Sequence, residues 1–271
     1  MCGIFGYVGH KTDAAKIIFE GIKLLEYRGY DSWGIATKVK SGKLKVKNEF
    51  TIDKHVGKIA DSNLTSSILN HKSSLGIGHT RWATHGGVTV ANCHPHLDCT
   101  RAIAVVHNGI VENFQVLKED LIKKGHKFIS ETDTEVIPHL IEENLKKEGF
   151  ASGVRDSFNK LRGLNAIVVA NAISKEIVCA KNGSPLVVGI GDKEFFVSSD
   201  IVGIVPHTRK VIFLKDNEMA ILGKEIQLLT LPSGKKLQSV PEKIDWKFEN
   251  ASKGKFQDFM IKEIHEQPLI I

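Results

Sequence analysis

The second residue of the chain is a cysteine, followed at once by a glycine, in Met1-Cys2-Gly3. A residue that small permits removal of the initiator methionine. Cys2 would then carry a free thiol and a free α-amine together. An α-amine titrates at about 7.7–8.0, against about 10.4 for a lysine, so part of it is neutral near neutral pH. The neutral amine can take the thiol proton, which activates the sulfur as a nucleophile. On its own the dipeptide reads first as the start of an apolar strand, and its chemistry depends on the residues downstream.

Three later stretches hold groups that could serve such a nucleophile. In His79-Thr-Arg-Trp-Ala-Thr-His-Gly-Gly87, Arg81 can grip a carboxylate through two parallel hydrogen bonds. Trp82 can close a pocket by stacking, and Thr84 and His85 add short-range hydrogen bonds. In His107-Asn-Gly109, Asn108 offers a side-chain N–H and Gly109 a backbone N–H that no side chain shields. Two donors side by side after a strand are what an oxyanion hole needs, although Asn-Gly is also an ordinary turn dipeptide. Asp133, within Ser130-Glu-Thr-Asp-Thr-Glu135, can cap a helix, meet a ligand's ammonium, or do both. A fourth stretch, Cys93-His-Pro-His-Leu-Asp-Cys99, packs cysteines and histidines closely. Its spacing fits none of the usual zinc arrangements, since ligands so near in sequence cannot all reach a tetrahedral ion without strain. It reads as a polar turn around Pro95, and neither a metal nor a cofactor is expected.

These residues need rigid supports, and the surrounding pattern supplies them. Ile4–Val8 reads as a buried strand that holds Cys2 at its head. Thr12 or Asp13 would cap a helix to about Glu26, with Ile17, Ile18, Ile22 and Leu25 at helical spacing and Gly29 as its stop. Gly34–Val39 and Leu44–Phe50 read as a hairpin around Ser41-Gly42. A helix is expected near Val56–Leu69, then a short strand at Leu75–His79. Ala102–Val106 reads as a strand ending in a loop at His107, followed by helices at Asn113–Lys124, from Asp133 or Thr134 onward, and at Val154–Leu161. From 164 to 231 short strands follow one another, reading as an antiparallel meander. Packed antiparallel sheets with peripheral helices are the α+β solution for this order of elements.

Composition narrows the class. The 271 residues are 42% apolar and 25% charged, as in globular proteins. A net charge of +6 is spread over scattered lysines with no basic run among aromatics, so no nucleic-acid partner is expected. No apolar run approaches the ~18 residues of a membrane span. The N-terminus lacks a signal-peptide pattern, and four cysteines are too few for a disulfide framework. A reducing, cytoplasmic setting follows, which would also protect a catalytic thiol.

The stretches CGIFGYVG, LEYRGYDS, GHTRWATHG, HNGIVEN, SETDTE, NGSPLVVG and FMIKEIHEQP resemble one family across essentially the whole chain. It is the N-terminal glutaminase domain of the glutamine–fructose-6-phosphate aminotransferases (isomerising), or glucosamine-6-phosphate synthases. These belong to the class II, N-terminal-nucleophile amidotransferases. The resemblance implies a four-layer αββα sandwich of antiparallel sheets, the N-terminal-nucleophile hydrolase fold. It implies Cys2 as nucleophile and its amine as base through a water, with Asn108 and Gly109 as the oxyanion hole. Arg81 would hold the α-carboxylate of L-glutamine and Asp133 its α-ammonium, with Trp82, Thr84 and His85 lining the pocket. It further implies a glutaminase domain at 1–231, a linker at 232–255, and at 256–271 the start of a truncated sugar-isomerase domain. Ammonia would convert fructose 6-phosphate to glucosamine 6-phosphate only in the full-length enzyme, expected to be a homodimer. The rival readings are the glutaminase of another class II amidotransferase, a non-catalytic glutamine-binding module, and a zinc-binding structural domain. One departure from the family is Trp33, a bulky ring where a small residue is usual, which places the supporting role of nearby Arg28 in question.

Overall fold

A computed structural model describes residues 2–38, 48–60, 62–69, 72–238, 240–245, 256 and 259–270. In chain order the elements begin with β1 (Gly3–Val8), α1 (Ala14–Leu24), β2 (Ser32–Lys38), β3 (Phe50–Val56), α2 (Ser66–Leu69) and β4 (Leu75–Arg81). Next come β5 (His96–Leu97), β6 (Ile103–Gly109), α3 (Phe114–Lys123), α4 (Val136–Glu148) and α5 (Phe150–Phe158). The strands β7 (Asn165–Asn171), β8 (Glu176–Lys181), β9 (Val187–Ile190), β10 (Phe195–Ser198), β11 (Lys210–Phe213), β12 (Glu218–Leu222) and β13 (Ile226–Thr230) follow. The short β14 (Lys236–Leu237) and β15 (Glu242–Lys243) and the helix α6 (Phe259–Ile270) complete the order.

Two antiparallel sheets form the centre. One has the order β15-β11-β9-β10-β1-β4-β2-β3, the other β14-β13-β12-β8-β7-β6-β5. The alternation of side chains along each strand builds four layers from these two sheets. In β1, Ile4 and Val8 enter the core between the sheets, while Phe5 and Tyr7 pack with Ile18 and Ile22 of α1. In β6, Ala104 and Val106 enter the same central core, while Ile103 and Val105 meet Val136, Ile137 and Ile141 of α4. Both faces of these two strands are therefore apolar, because each sheet is covered twice there. The result is the expected αββα sandwich.

Several local expectations are corrected. The partner of β2 is β3 at Phe50–Val56, beginning where the expected strand ended. The expected Ser41-Gly42 turn and most of the Leu44–Phe50 strand lie outside the described residues. The helix expected at Val56–Leu69 contracts to the four residues of α2. As the edge strand of its sheet, β3 keeps only Phe50 and Asp53 buried, so its pattern is too polar to read as a strand. The run from 164 to 231 is split between the two sheets. β7 and β8 pair in one sheet, β9 and β10 in the other, and β12 returns to pair with β8. Asp13 stands at the N-cap of α1 without a side-chain cap bond, and the helix passes into a 3-10 turn at Glu26–Arg28 before Gly29. Within the stretch expected to be a linker, β14 and β15 add edge strands to the two sheets.

Trp33 does not disturb Arg28. Its ring is 1% exposed, stacked on His55 at 4.4 Å and set edge-on to Phe19 at 5.4 Å. The large side chain fills the layer between the first sheet and α1. Trp33→Ala is expected to cost about 3–5 kcal/mol of folding stability, as other large-to-small core changes do. Urea unfolding of the two proteins measures it, and a loss under about 1 kcal/mol would show that the layer repacks.

Candidate active site

The strands bring the candidate residues to one end of the sandwich. β1 runs antiparallel beside β4, and the register Gly3↔Thr80 sets Cys2 next to Arg81 and Trp82. Gly3 is required there: a Cβ would stand 2.5 Å from Thr80 Oγ1 and 2.6 Å from Leu25 Cβ. β6 in the facing sheet ends at Asn108-Gly109, where the sequence suggested a loop. Asp133 opens a 3-10 turn, Asp133–Glu135, that leads into α4. Cys2, Arg81, Trp82, Thr84, His85, Asn108, Gly109 and Asp133 all line one cavity of about 420 Å³.

The thiol is held by the strand beside it. Trp82 N–H donates to Cys2 Sγ at 3.2 Å, and Sγ lies 3.5 Å from Trp82 O. The Cys2 carbonyl accepts from Arg28 Nε at 3.2 Å and from Asn108 Nδ2 at 2.8 Å. Arg28 is itself anchored by Asp200 at 3.0 Å, and Tyr27 donates to the same carboxylate at 2.9 Å. Burial pushes the Cys2 thiol up from its ordinary value, only partly offset by the Trp82 N–H and the charges of Arg81 and Arg28. The resting sulfur is therefore protonated, and a nucleophilic role requires a base.

Asn108 is oriented by a residue that sequence reasoning passed over. His79 Nε2 lies 3.1 Å from Asn108 Oδ1 and 3.1 Å from the His107 carbonyl. Both partners are acceptors, so Nε2 carries the hydrogen, and the Asn108 amide must turn its N–H₂ group toward Cys2. His79 stood in the polar stretch already singled out, but only its pairing with β6 in space reveals this task. Gly109 has φ +130°, and a Cβ there would meet the Leu164 carbonyl oxygen at 2.2 Å. No other residue fits that turn.

The two groups expected to hold an amino acid are differently committed. Arg81 is 4% exposed and donates through Nη1 to Gly87 O at 3.1 Å and through Nη2 to Gly86 O at 3.3 Å and to His85 O. It thus braces the 85–87 loop while lining the cavity. Asp133 Oδ2 accepts from Val111 N–H at 2.7 Å. That bond fixes the carboxylate against the end of β6. The Trp82 indole is half exposed and lies 5.6 Å from the Tyr30 ring at the rim. The Cys93–Cys99 stretch does not act as one unit. Cys93 is buried and bonds Thr89 O at 3.2 Å, His94 stacks on His79 at 4.2 Å, and Cys99 faces another part of the fold.

Burial also holds a set of imidazoles neutral. It pushes His79 down to about 3, and lowers His94 and His107 in the same direction. In the unfolded chain these groups take up protons below about pH 6.5, so the unfolded state binds more protons and stability falls with pH. That stability is full above about pH 6.5 and is lost on acidification, for His79 down to about pH 3, at up to about 1.4 kcal/mol per pH unit per histidine. The urea midpoint should accordingly drop between about pH 7.5 and about pH 5.5. A flat midpoint would mean that these rings gain protons while folded.

An αββα sandwich with a cysteine at the head of a central strand is the architecture of the N-terminal-nucleophile amidotransferases. Solved structures of that kind match the fold. The glutamine phosphoribosylpyrophosphate amidotransferase of B. subtilis is 25% identical with a TM-score of 0.70, over 84% of this chain and 49% of that one. A structure described as the allosteric regulatory enzyme of purine biosynthesis is 26% identical with a TM-score of 0.71, over 86% and 50%. A family model described as a glutamine amidotransferase domain matches residues 80–206. Over its full length the chain is 47% identical to the glutamine–fructose-6-phosphate aminotransferase (isomerising) of Pyrococcus horikoshii and 43% identical to that of Thermus thermophilus. It spans 44% and 43% of the lengths of these two relatives. The chain belongs to the glutamine amidotransferase family, as the glutaminase domain of the glutamine–fructose-6-phosphate aminotransferases. Among the described residues no helix is long and apolar enough to cross a membrane.

Proposed function

We propose that Cys2, freed of Met1, splits the side-chain amide of L-glutamine at this cavity. The reading is carried by the convergence of Cys2, Arg81, Asn108, Gly109 and Asp133 on one space from separate elements. Arg81 takes the α-carboxylate and Asp133 the α-ammonium, which sets the distance from the amino-acid end to the sulfur. Trp82, Thr84 and His85 line the space beside them. Asparagine, one methylene shorter, cannot bring its amide to Cys2 from that grip.

The Cys2 amine takes the thiol proton, through a water, as sulfur attacks the amide carbon. The oxygen gains the displaced electron pair and rests on the second Asn108 N–H and the Gly109 N–H. The carbon–nitrogen bond then breaks as the amine returns its proton to the departing nitrogen, releasing ammonia and leaving a γ-glutamyl thioester. Water, deprotonated by the same amine, hydrolyses the thioester to glutamate and restores the thiol.

In the complete protein, the ammonia serves the conversion of fructose 6-phosphate to glucosamine 6-phosphate. The segment 256–271 would lead into the part that carries the sugar, and that part would join two copies into a homodimer. A cytoplasmic site suits the four free cysteines. The test is mass spectrometry after treatment with 6-diazo-5-oxo-norleucine, a glutamine analogue with an electrophilic carbon. One adduct on Cys2 of the trimmed chain, blocked by glutamine, supports the reading. Labelling at Cys93 or Cys99 instead of Cys2 would overturn it. Assay of the complete protein with fructose 6-phosphate tests the acceptor separately.

A further inference from the structure

Cys99 left the site above without a task, and its surroundings supply one. Its Sγ lies 3.6 Å from His126 Nδ1 and 3.5 Å from His139 Nδ1. The two Nδ1 atoms are 3.3 Å apart, and Glu142 Oε2 is 3.3 Å from the first and 3.7 Å from the second. All four ligand atoms fall within 4.8 Å of one another. Around a tetrahedral zinc ion, sulfur at ~2.3 Å and nitrogen or oxygen at ~2.0–2.1 Å stand about 3.3–3.6 Å from each other. The five separations of 3.3–3.7 Å match that figure, and the sixth, from Cys99 Sγ to Glu142, lies within 4.8 Å, so the carboxylate would move inward to close the tetrahedron. We propose that Cys99, His126, His139 and Glu142 form a structural Zn²⁺ site.

The chemistry of the set agrees with the geometry. A thiolate and a carboxylate offset the two charges of the ion, and two neutral imidazoles complete four ligands of the N, O and S types that zinc accepts. The outward nitrogen of His126 faces Glu143 Oε1 at 3.2 Å, and that of His139 faces Glu135 Oε1 at 3.9 Å. At His126 the Glu143 carboxylate fixes the outward nitrogen as the N–H and turns the lone pair of Nδ1 inward, as at metal-bound histidines, whereas Glu135 at 3.9 Å adds only its charge behind His139. His126 and His139 are buried, while Cys99 is exposed and leaves a way in for the ion. The ligands come from three places: the turn before β6, the connection from α3 to α4, and α4 itself. The ion would tie them together and fix the start of α4, which the Asp133–Glu135 turn precedes. The spacing argument against zinc remains sound within 93–99, for the partners of Cys99 lie elsewhere in the sequence.

The test uses the chain freed of any purification tag, and none of its readouts is ammonia release, so it stands apart from the glutaminase reading. Elemental analysis after gel filtration should find one equivalent of zinc. Cobalt substitution should give a sulfur-to-cobalt charge-transfer band with tetrahedral d–d absorption. Chelation should lower the thermal midpoint and added zinc restore it. Glu143→Gln should weaken zinc binding by ~10–100-fold, the usual effect of removing a carboxylate behind a ligand. Cys99→Ser should abolish the charge-transfer band, while Cys93→Ser should leave it intact. Absence of zinc with an octahedral cobalt spectrum would overturn the proposal, as would a Cys99→Ser protein that binds zinc as tightly as the parent. In either case the cluster is an ion-pair network alone.

Discussion

Cys2→Ala, measured as ammonia release from glutamine, is expected to lose on the order of 10⁴–10⁶ in rate, the scale on which removal of a covalent nucleophile acts. No other thiol can take its place. Cys93 and Cys179 are buried, and Cys99 faces away from the cavity with His126 and His139. Glutamine should still bind to the variant, because the Arg81 and Asp133 side chains do not depend on the sulfur. A chain that keeps Met1 should be equally inactive, although its thiol is intact. Burial holds that thiol protonated, and the base is then locked in a peptide bond. A Cys2→Ala protein with residual activity near that of the parent would remove the nucleophile from the account. An active chain with Met1 retained would instead remove the amine.

Asn108→Ala is expected to lower kcat by roughly 10²–10³, the usual effect of deleting one oxyanion donor. KM should change little, since the donated hydrogen bond strengthens only as charge builds on the oxygen. The same substitution also removes the 2.8 Å bond to the Cys2 carbonyl, so part of the loss is displacement of the nucleophile. His79→Ala separates the two effects. It leaves the Asn108 amide in place but frees it to turn, and should recover part of the activity that Asn108→Ala loses. Equal kcat in the parent and Asn108→Ala would place the oxyanion elsewhere.

Much of this arrangement was legible in the sequence, and the reasons differ between residues. Strands buried on both faces, such as β1, β6 and β7, appear as short apolar runs whatever their partners. Cys2, Arg81 and Asn108 were visible because each is an unusual residue at one end of such a run, and Asp133 because it stands in a polar cluster just before a helix. β3 was not visible, since this edge strand buries only one residue on each face and carries too few apolar residues to show a period. The division of the later strands between two sheets was equally hidden: a short connection that stays in a sheet and one that crosses to the next share the same turn chemistry. The orientation of Asn108 by His79, and the company of Cys99, depend on residues 29 and 27–43 positions away that meet only after folding.

The position of β1 has a consequence for motion. Chain ends usually fray, yet this strand is bonded on both sides, to β10 and to β4, in the interior of an eight-stranded sheet. Its amide protons should exchange with deuterium as slowly as the slowest in the molecule, through global opening alone. On the proposed mechanism the attacking sulfur would therefore ride on a slowly exchanging part of the backbone, so that its position would be set before glutamine arrives.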